Sequence, residues 1–588
     1  MIPLQKLVFS WRKSTRRSIT AAWLLLALLA TRIGLAAAEP RPAKPADLVF
    51  RHGSVYTLDA SRSWAETVAV SRGRIVHIGS ETSVQPWIGR KTVVVDLRGG
   101  MLLPSFHDSH VHPIGGGIGF TECELGEATN QQQILERIGA FARARPQAPW
   151  IRGGGWQLPV FPAANPHKSL LDPLVPDRPV YLVSADGHSA WVNSRALEIA
   201  GIDKNTPDPL PGRIERAAAT GEPTGTLRED AMNLVGKHLP KYGREEFLQA
   251  LRHALKEANR LGITSLQEAD AGEEHLQAYK ELDERGELTA RVTAALAVDA
   301  AKGTAQVPRL VQLRRKYQGR LLRATGAKIY ADGVIESKTA ALLDPYLGSN
   351  GDCGKANIEP EAFKGLAAAL DREGFQIHIH AIGDRAIRNS LDALEFARQR
   401  NGPRDSRHHI AHIQLFHPKD IPRFRQLGVI ANFQPLWAFE DPYIKDLTVP
   451  VLGPERSRWL YPIHSMAGTG AIIACGSDWP VTSMNPLDAM QVAITRRGLD
   501  EGAGIGWIPE ETVDLAIVLA GYTINGAYLS FQQTETGSIE VGKSADLVVL
   551  NRNLFDTPAQ EIYRCKVLLT LFEGKAVYRD QDFEYRGR

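Results

Sequence analysis

The sequence predicts an α/β protein: a (β/α)8 TIM barrel with a small composite β-sandwich domain built from both chain ends. Short apolar runs separated by glycine turns occupy both ends of the chain, and helix-glycine-strand units repeat between them. Polar side chains stand where several of these inner strands end. At 588 residues and 43% hydrophobic content, the chain is long and apolar enough for a barrel with additions.

Residues 1–38 are predicted to be a signal peptide, and residues 39–46 a linker rich in proline and alanine. The apolar run at 21–30 is too short to cross a bilayer, which takes ~20 residues. Three alanines at 36–38 are typical of a cleavage site. Arg16 and Arg17 fit a twin-arginine signal, with a general secretory signal as the alternative. We therefore expect an exported protein, periplasmic or extracellular, without stable membrane insertion after cleavage.

The positive charge of the chain belongs to this leader. Residues 1–38 hold six basic residues and no acidic one, so their removal changes the net charge from +3 to −3. The remaining chain therefore has no bias toward nucleic acid, and no nucleic-acid partner is expected. The four cysteines are scattered without a Cys-x-x-Cys motif, so they predict neither a zinc knuckle nor a disulfide framework.

The domain order follows from the spacing of short strands and longer helices. Residues 47–100 and 529–588 alternate short apolar runs with turns, which predicts the two parts of the β-sandwich. Residues 101–528 predict the barrel, because helical stretches end at Gly262, Gly374 and Gly428 and an apolar strand follows each of them. Residues 121–245, approximately, are rich in glycine and proline and break this rhythm. We expect them to be an insertion between early barrel strands.

The most informative motif is His110-Val111-His112, a few residues after the apolar run at 101–104. Residues i and i+2 of a strand share a face, so both imidazoles point to one place, as metal ligands do. A chance His-x-His pair is the alternative. The catalytic groups of a TIM barrel lie at the carboxyl ends of its strands. Other polar residues lie in or just after such strands: Lys328, His380, His412 and Asp478.

This ordered set resembles the amidohydrolase superfamily and, more narrowly, amidohydrolase family 3, the branch that includes N-substituted formamide deformylase. The resemblance covers about residues 47–580, with matching stretches at 186–193, 221–225, 328–340, 380–386, 476–478, 522–527 and 537–550. It implies a metal-dependent hydrolase that cleaves a C–N bond other than a peptide bond in a small amide-type substrate, such as an N-substituted formamide. A deaminase or cyclic amide hydrolase on the same fold is the alternative. A metal- or ligand-binding protein without turnover is a further alternative.

The resemblance also implies a metal site of one or two divalent ions, with zinc favoured and iron or manganese as alternatives. His110, His112 and Asp478 would bind the more buried ion, and His380 and His412 the second. Lys328 is the candidate for a carboxylated lysine that bridges the ions, with an ordinary lysine as the alternative.

Two residues are expected to take part in the chemistry. Asp478 would accept a proton from the metal-activated water and pass it to the leaving amine. His188, in the insertion, would polarise the carbonyl or stabilise the oxyanion, with a structural loop histidine as the alternative. The family usually has a glutamate where this chain has Ala411. The resemblance therefore does not identify the substrate.

Other residues near the predicted site carry weaker signals. Three extra histidines are interpreted as core or solvated residues, although His378 shares a strand face with His380: His378, His408 and His409. Three tryptophans either line a pocket for an apolar substituent or belong to the core: Trp156, Trp191 and Trp437. The sequence leaves open whether the protein is a homodimer.

Overall fold

A computed structural model describes residues 44–585 of the chain. The predicted signal peptide and most of the predicted linker lie outside this range. None of the helices in this range has the length and apolar character needed to span a bilayer.

Eight parallel strands, neighbours in chain order, form the barrel and confirm the predicted fold class. The strands are β1 (Phe106–Val111), β2 (Ile263–Ala271), β3 (Arg291–Ala297), β4 (Leu322–Tyr330), β5 (Gln376–Ala381), β6 (His409–His412), β7 (Ile430–Phe433) and β8 (Ile473–Cys475). Backbone hydrogen bonds just beyond β8 join it to β1. The Asp478 N–H donates to the His110 carbonyl at 2.7 Å, and the His112 N–H donates to the Trp479 carbonyl at 2.9 Å.

Helices pack around these strands as the periodicity predicts. The main ones are Arg244–Arg260, Glu273–Glu284, Val307–Lys316, Pro360–Arg372, Asp384–Asn401, Ile421–Leu427, Ile463–Gly468, Pro486–Thr495, Leu515–Gly521 and Ile524–Leu529. In Pro360–Arg372, proline stands in the first turn, where its missing N–H costs nothing. Phe363, Leu366 and Leu370 recur at helical spacing and are buried. The chain then turns at Gly374, whose φ of 80° favours glycine, and enters β5.

Both ends of the chain build the β-sandwich. One sheet has four strands, in the order Arg74–Gly79, Thr67–Ser71, Leu48–Arg51 and Val93–Asp96. The other has six, in the order Lys575–Arg579, Val567–Phe572, Leu547–Leu550, Met101–Pro104, Ser54–Tyr56 and Trp64–Ala65. Their shared core contains Phe50, Leu102, Val549 and Leu571, all buried.

The strand Met101–Pro104 differs from its expected place at the start of the barrel. It pairs antiparallel with Leu547–Leu550 in the six-stranded sheet, so the first barrel strand begins at Phe106. An apolar run of four residues suits either sheet, and only the pairing decides which one it joins.

The insertion between β1 and β2 contains a third sheet of six strands. Their order is Gly212–Arg216, Pro223–Glu229, Ser189–Val192, Val180–Ser184, Ile151–Trp156 and Cys123–Glu124. Three helices accompany it: Gln131–Ala144, Ser194–Ala200 and Ala231–Gly236. Trp156 and Trp191 are fully buried beside Phe161, so these two tryptophans belong to the core of the insertion. The turn before Ser189 and the end of the strand Pro223–Glu229 carry His188 and Glu229.

Candidate metal centre

Three of the predicted ligands form a compact group at the carboxyl end of the barrel. His110 lies near the end of β1, His112 follows that strand, and Asp478 follows β8. Asp478 Oδ1 lies 3.3 Å from His110 Nε2 and 3.2 Å from His112 Nε2. One ligand atom from each residue lies within 4.8 Å of the others. The spacing of the first-strand pair therefore does aim both imidazoles at one carboxylate.

The electrostatics of this group suit a divalent cation. Burial lowers the pKa of His110 to about 3, so its imidazole is neutral, the form that binds metals. Burial alone would raise the pKa of Asp478, but the contacts with His110 and His112 lower it well below its usual value. Asp478 Oδ1 and the nearby His412 Nδ1 are buried, and neither makes a hydrogen bond within residues 44–585. Burial alone would lower the pKa of His112, but the contact with Asp478 raises it. An anionic carboxylate beside two imidazoles, with free ligand atoms, fits zinc or a similar ion.

Backbone conformation and a buried aspartate position Asp478. Asp478 and His412 have φ of 56° and 73°, the left-handed region that non-glycine residues rarely adopt. Asp108, on β1, accepts the Ser477 N–H at 2.9 Å and the Ser477 hydroxyl at 2.5 Å. It also accepts the His110 N–H at 3.2 Å. Burial raises the pKa of Asp108 to about 7. Asp108 therefore ties the strand of the histidine pair to the loop that carries Asp478.

Lys328 lies beside this group on β4. Its Nζ is 3.4 Å from His110 Nε2 and 4.6 Å from the centre of the Tyr330 ring, and the residue is 1% exposed. Burial lowers the pKa of Lys328 to about 8, although nearby carboxylates oppose the shift. A substantial fraction of this amine is therefore neutral at mildly alkaline pH.

His412 and His380 form the far side of the site. His412 Nδ1 lies 3.8 Å from Asp478 Oδ2, and the Trp437 ring stacks on the His412 ring at 5.5 Å, with 6° between the planes. The His380 ring is 4.6 Å from the His412 ring, and His380 Nε2 is 3.2 Å from the Gly333 carbonyl, to which it can donate. The six predicted ligands thus meet at one end of the barrel, but these two histidines lie outside the compact group of three.

His188 reaches the same site from the insertion. Its ring lies 5.2 Å from the His380 ring, and its Nδ1 is 2.9 Å from Glu229 Oε2. Glu229 Oε1 in turn accepts the Thr339 hydroxyl at 2.7 Å, so one carboxylate links the insertion to the loop after β4. Burial alone would lower the pKa of His188, but Glu229 outweighs it and raises the pKa to about 9.

The three extra histidines are all buried. His408 contacts Asp371 at 3.0 Å and accepts the Ile377 N–H, which makes it a core residue, as predicted. His378 instead hydrogen-bonds a predicted metal ligand, with 2.8 Å between its Nε2 and His110 Nδ1. His409 packs against His378, with 4.1 Å between ring centres.

A cavity of about 1350 Å³ connects this site to the surface between the barrel and the insertion. Its wall includes all six predicted ligands and His188. Exposed apolar side chains, Phe120 and Leu210, also line it. The space is large enough for a small organic substrate with an apolar group.

Comparison with known proteins finds relatives that match nearly the whole chain. A protein called LONG AFTER FAR-RED 3 from Arabidopsis thaliana is 32% identical, over 91% of this chain and 92% of its own length. An N-substituted formamide deformylase from Arthrobacter pascens is 28% identical, over 90% of this chain and 98% of its own length. An uncharacterised metal-dependent hydrolase from Pyrococcus horikoshii OT3 shares the fold, with a TM-score of 0.67 and 22% identity over 87% of this chain and 99% of its own.

The family comparison covers almost the whole of the described chain. A family model described as the amidohydrolase family matches residues 93–578, which contain the barrel, the insertion and most of the second part of the sandwich. The protein therefore belongs to the amidohydrolase family.

Proposed function

We propose that this protein is a metal-dependent hydrolase that cleaves a C–N bond in a small amide, with N-substituted formamides as the favoured substrates. One observation carries the proposal: His110, His112 and Asp478 form a ligand group that shares a cavity with His188. The formamide deformylase relative aligns over nearly its whole length, which supports the choice of substrate class.

His110, His112 and Asp478 would hold a zinc ion, because two imidazoles and a carboxylate suit zinc; iron and manganese are the alternatives. His380 and His412 would complete a second site, with Lys328 as a bridging carbamate. The neutral amine that a carbamate requires is supported by the lowered pKa of Lys328. A bound metal would supply a water with a lowered pKa and a polarised substrate carbonyl.

Asp478 would move the proton in this reaction. Its carboxylate is ionised, because the surrounding imidazoles hold its pKa well below the usual value. In this ionised form it would accept a proton from the attacking water and release that proton to the nitrogen of the leaving amine. The hydrogen bond from its own N–H to the His110 carbonyl fixes where the carboxylate stands.

His188 would stabilise the negative charge that develops on the carbonyl oxygen. Glu229 holds its Nδ1, which leaves Nε2 for the substrate. With a pKa of about 9, the imidazole is cationic at neutral pH and can donate from both nitrogens. A charged donor beside the reacting carbonyl is worth most in a site closed to water, and His188 is largely buried.

The wall of the cavity supports a substrate with an apolar substituent. Phe120 lies 6.2 Å from Trp479 between ring centres, and both residues line the cavity that contains the ligand group. Such a group would bind by loss of apolar surface from water, whereas the amide is oriented by the polar groups deeper in the site.

Export to the periplasm or the cell exterior is also part of this proposal. It rests on the basic leader, its short apolar run and the three alanines at 36–38. Expression of the full chain, followed by sequencing of the mature N-terminus in each cell fraction, tests it. A product in the cytoplasm that retains residues 1–38 would contradict export.

The function is tested by metal analysis and a substrate screen on the purified protein. We expect stoichiometric zinc, iron or manganese, and hydrolysis of N-substituted formamides that stops on chelation and returns with the metal. The screen includes N-acyl amino acids and cyclic amides. Turnover of cyclic amides alone would replace the proposed substrate class, and a folded protein that binds no divalent metal would contradict the proposal as a whole.

A further inference from the structure

The two ring nitrogens of His110 face different partners. Nε2 lies towards the ligand group, 3.3 Å from Asp478 Oδ1 and 3.4 Å from Lys328 Nζ. Nδ1 lies towards the interior of the barrel, 2.8 Å from Nε2 of His378. The rings meet edge to face, with 4.6 Å between their centres. His110 is therefore held on one side by the site and on the other by a second imidazole.

The direction of that hydrogen bond follows from the chemistry of imidazole. A neutral histidine carries one proton, and a nitrogen that binds a metal must offer its lone pair. If His110 binds through Nε2, its proton is on Nδ1, and His378 Nε2 accepts it. The proton of His378 is then on its own Nδ1, an atom with no hydrogen-bond partner within residues 44–585.

The surroundings of His378 allow little freedom. The residue is fully buried near the middle of β5, and His409 packs against its ring. His409 packs its ring against the ring of His378, and within the described chain the two side chains make no hydrogen bond to each other. The packing thus presents Nε2 of His378 to His110 and to nothing else.

We propose that His378 is a positioning residue for the metal ligand His110: it accepts the Nδ1–H of His110 and so fixes its orientation and tautomer. Metal-binding histidines commonly donate this proton to a carboxylate, a backbone carbonyl or water. Here the acceptor is a neutral ring, which orients the ligand without adding negative charge behind the metal. This inference rests on the proposed function, because it requires a metal at His110.

The test measures zinc affinity by competition with a chromophoric chelator, with zinc alone as the probe. His378→Phe keeps a buried ring but removes the acceptor, and we expect zinc binding about 10–100-fold weaker. His378→Gln places an oxygen near the former Nε2 and is expected to keep most of the affinity. His378→Asn places its oxygen near the former Nδ1 and is expected to behave like the Phe variant.

The control is His107→Leu, which removes another buried histidine of β1 whose nitrogens have no hydrogen-bond partner in the described chain. Its zinc affinity is expected to stay close to that of the unmodified protein. Thermal unfolding identifies any variant that does not fold. If His378→Phe is such a variant, the comparison of Gln with Asn decides the question.

The possible failures are distinguishable. An unmodified protein without stoichiometric zinc would overturn the proposed metal site, and this inference with it. Normal zinc binding in the unmodified protein together with unchanged affinity in a folded His378→Phe variant would overturn the inference alone. Equal losses of zinc affinity in the Gln and Asn variants would also overturn it. The loss would then come from altered packing and not from the position of the hydrogen-bond acceptor.

Discussion

The Asp478 N–H donates a 2.7 Å hydrogen bond to the carbonyl of His110, and this contact joins the two ends of the barrel at the candidate metal centre. The close approach requires glycine two residues earlier, because a Cβ on Gly476 would lie 2.5 Å from the His110 nitrogen. The residues that bring the last strand to the first thus also bring the carboxylate to the histidine pair. The contacts that close the barrel therefore also hold the ligand group together.

Replacement of Asp478 by Asn should abolish most of the activity. The amide keeps the shape of the side chain but cannot accept the proton of the water, and general-base groups contribute about 10²–10⁴-fold. We expect kcat/KM on the best substrate of the screen to fall by at least that factor. Asp446→Asn, the same change on an exposed residue, is the control. A variant that keeps a tenth of the activity would contradict the role of Asp478.

Replacement of Glu229 by Gln should move the alkaline limit of activity to lower pH. The pKa of His188 is raised to about 9, so its cation is present below that pH and is lost as the pH rises through it. Loss of the Glu229 charge lets the pKa of His188 fall, and kcat/KM should then decline at a lower pH than in the unmodified enzyme. The measurement is the pH profile of kcat/KM.

The matched control for this change is Glu222→Gln, an exposed glutamate of the same insertion. Its profile should overlay that of the unmodified enzyme. An alkaline limb that stays in place in a folded Glu229→Gln variant would show that the charge of His188 does not limit the reaction.

The parts of the site that the sequence predicts are those with local signals. His110 and His112 share a strand face because of their spacing. His412 and Asp478 come at the ends of apolar runs, so the barrel fold predicts that they lie with the histidine pair at the carboxyl edge of the sheet. The helix-glycine-strand units likewise predict the barrel, because the hydrophobic periodicity of each unit is visible within about twenty residues.

The contacts that the sequence does not predict join residues far apart in the chain. Asp108 meets Ser477 across 369 positions, and His378 meets His110 across 268. Glu229 lies 41 positions and two strands away from His188. No motif around Glu229 indicates that its carboxylate reaches the site. Strand pairing decides which side chains face each other, and a single sequence does not contain that pairing.

Replacement of Asp546 by Ala should destabilise the junction between the barrel and the β-sandwich. The carboxylate of Asp546 is fully buried and accepts Arg291 Nε at 3.0 Å, and Arg291 stands at the start of β3. Its loss removes the nearest carboxylate from a buried guanidinium that keeps Glu573 at 3.3 Å and Glu535 at 3.6 Å. The cost is therefore below the ~3–5 kcal/mol of a buried charge left without any partner. Calorimetry should show a clearly lower midpoint of thermal unfolding.

Arg320→Ala is the control for that experiment. Arg320 also pairs with Glu573, a partner of Arg291, but its side chain is 61% exposed. Exposed ion pairs are worth about 0–1 kcal/mol, so its midpoint should barely change. Equal shifts in the two variants would contradict the importance of the buried Arg291–Asp546 pair.

Reconstitution of the enzyme should depend on bicarbonate if Lys328 carries a carbamate. Only the neutral amine reacts with carbon dioxide, and the pKa of Lys328, lowered by burial to about 8, makes that form abundant as the pH rises through 8. After chelation, zinc should therefore restore more activity in bicarbonate buffer than in buffer free of carbon dioxide, and the difference should grow with pH. Lys328→Met should lose this response, whereas Lys302→Met, an exposed lysine, should retain it. Equal recovery in both buffers would mean that Lys328 acts as an amine beside His110 and that no carbamate bridges the site.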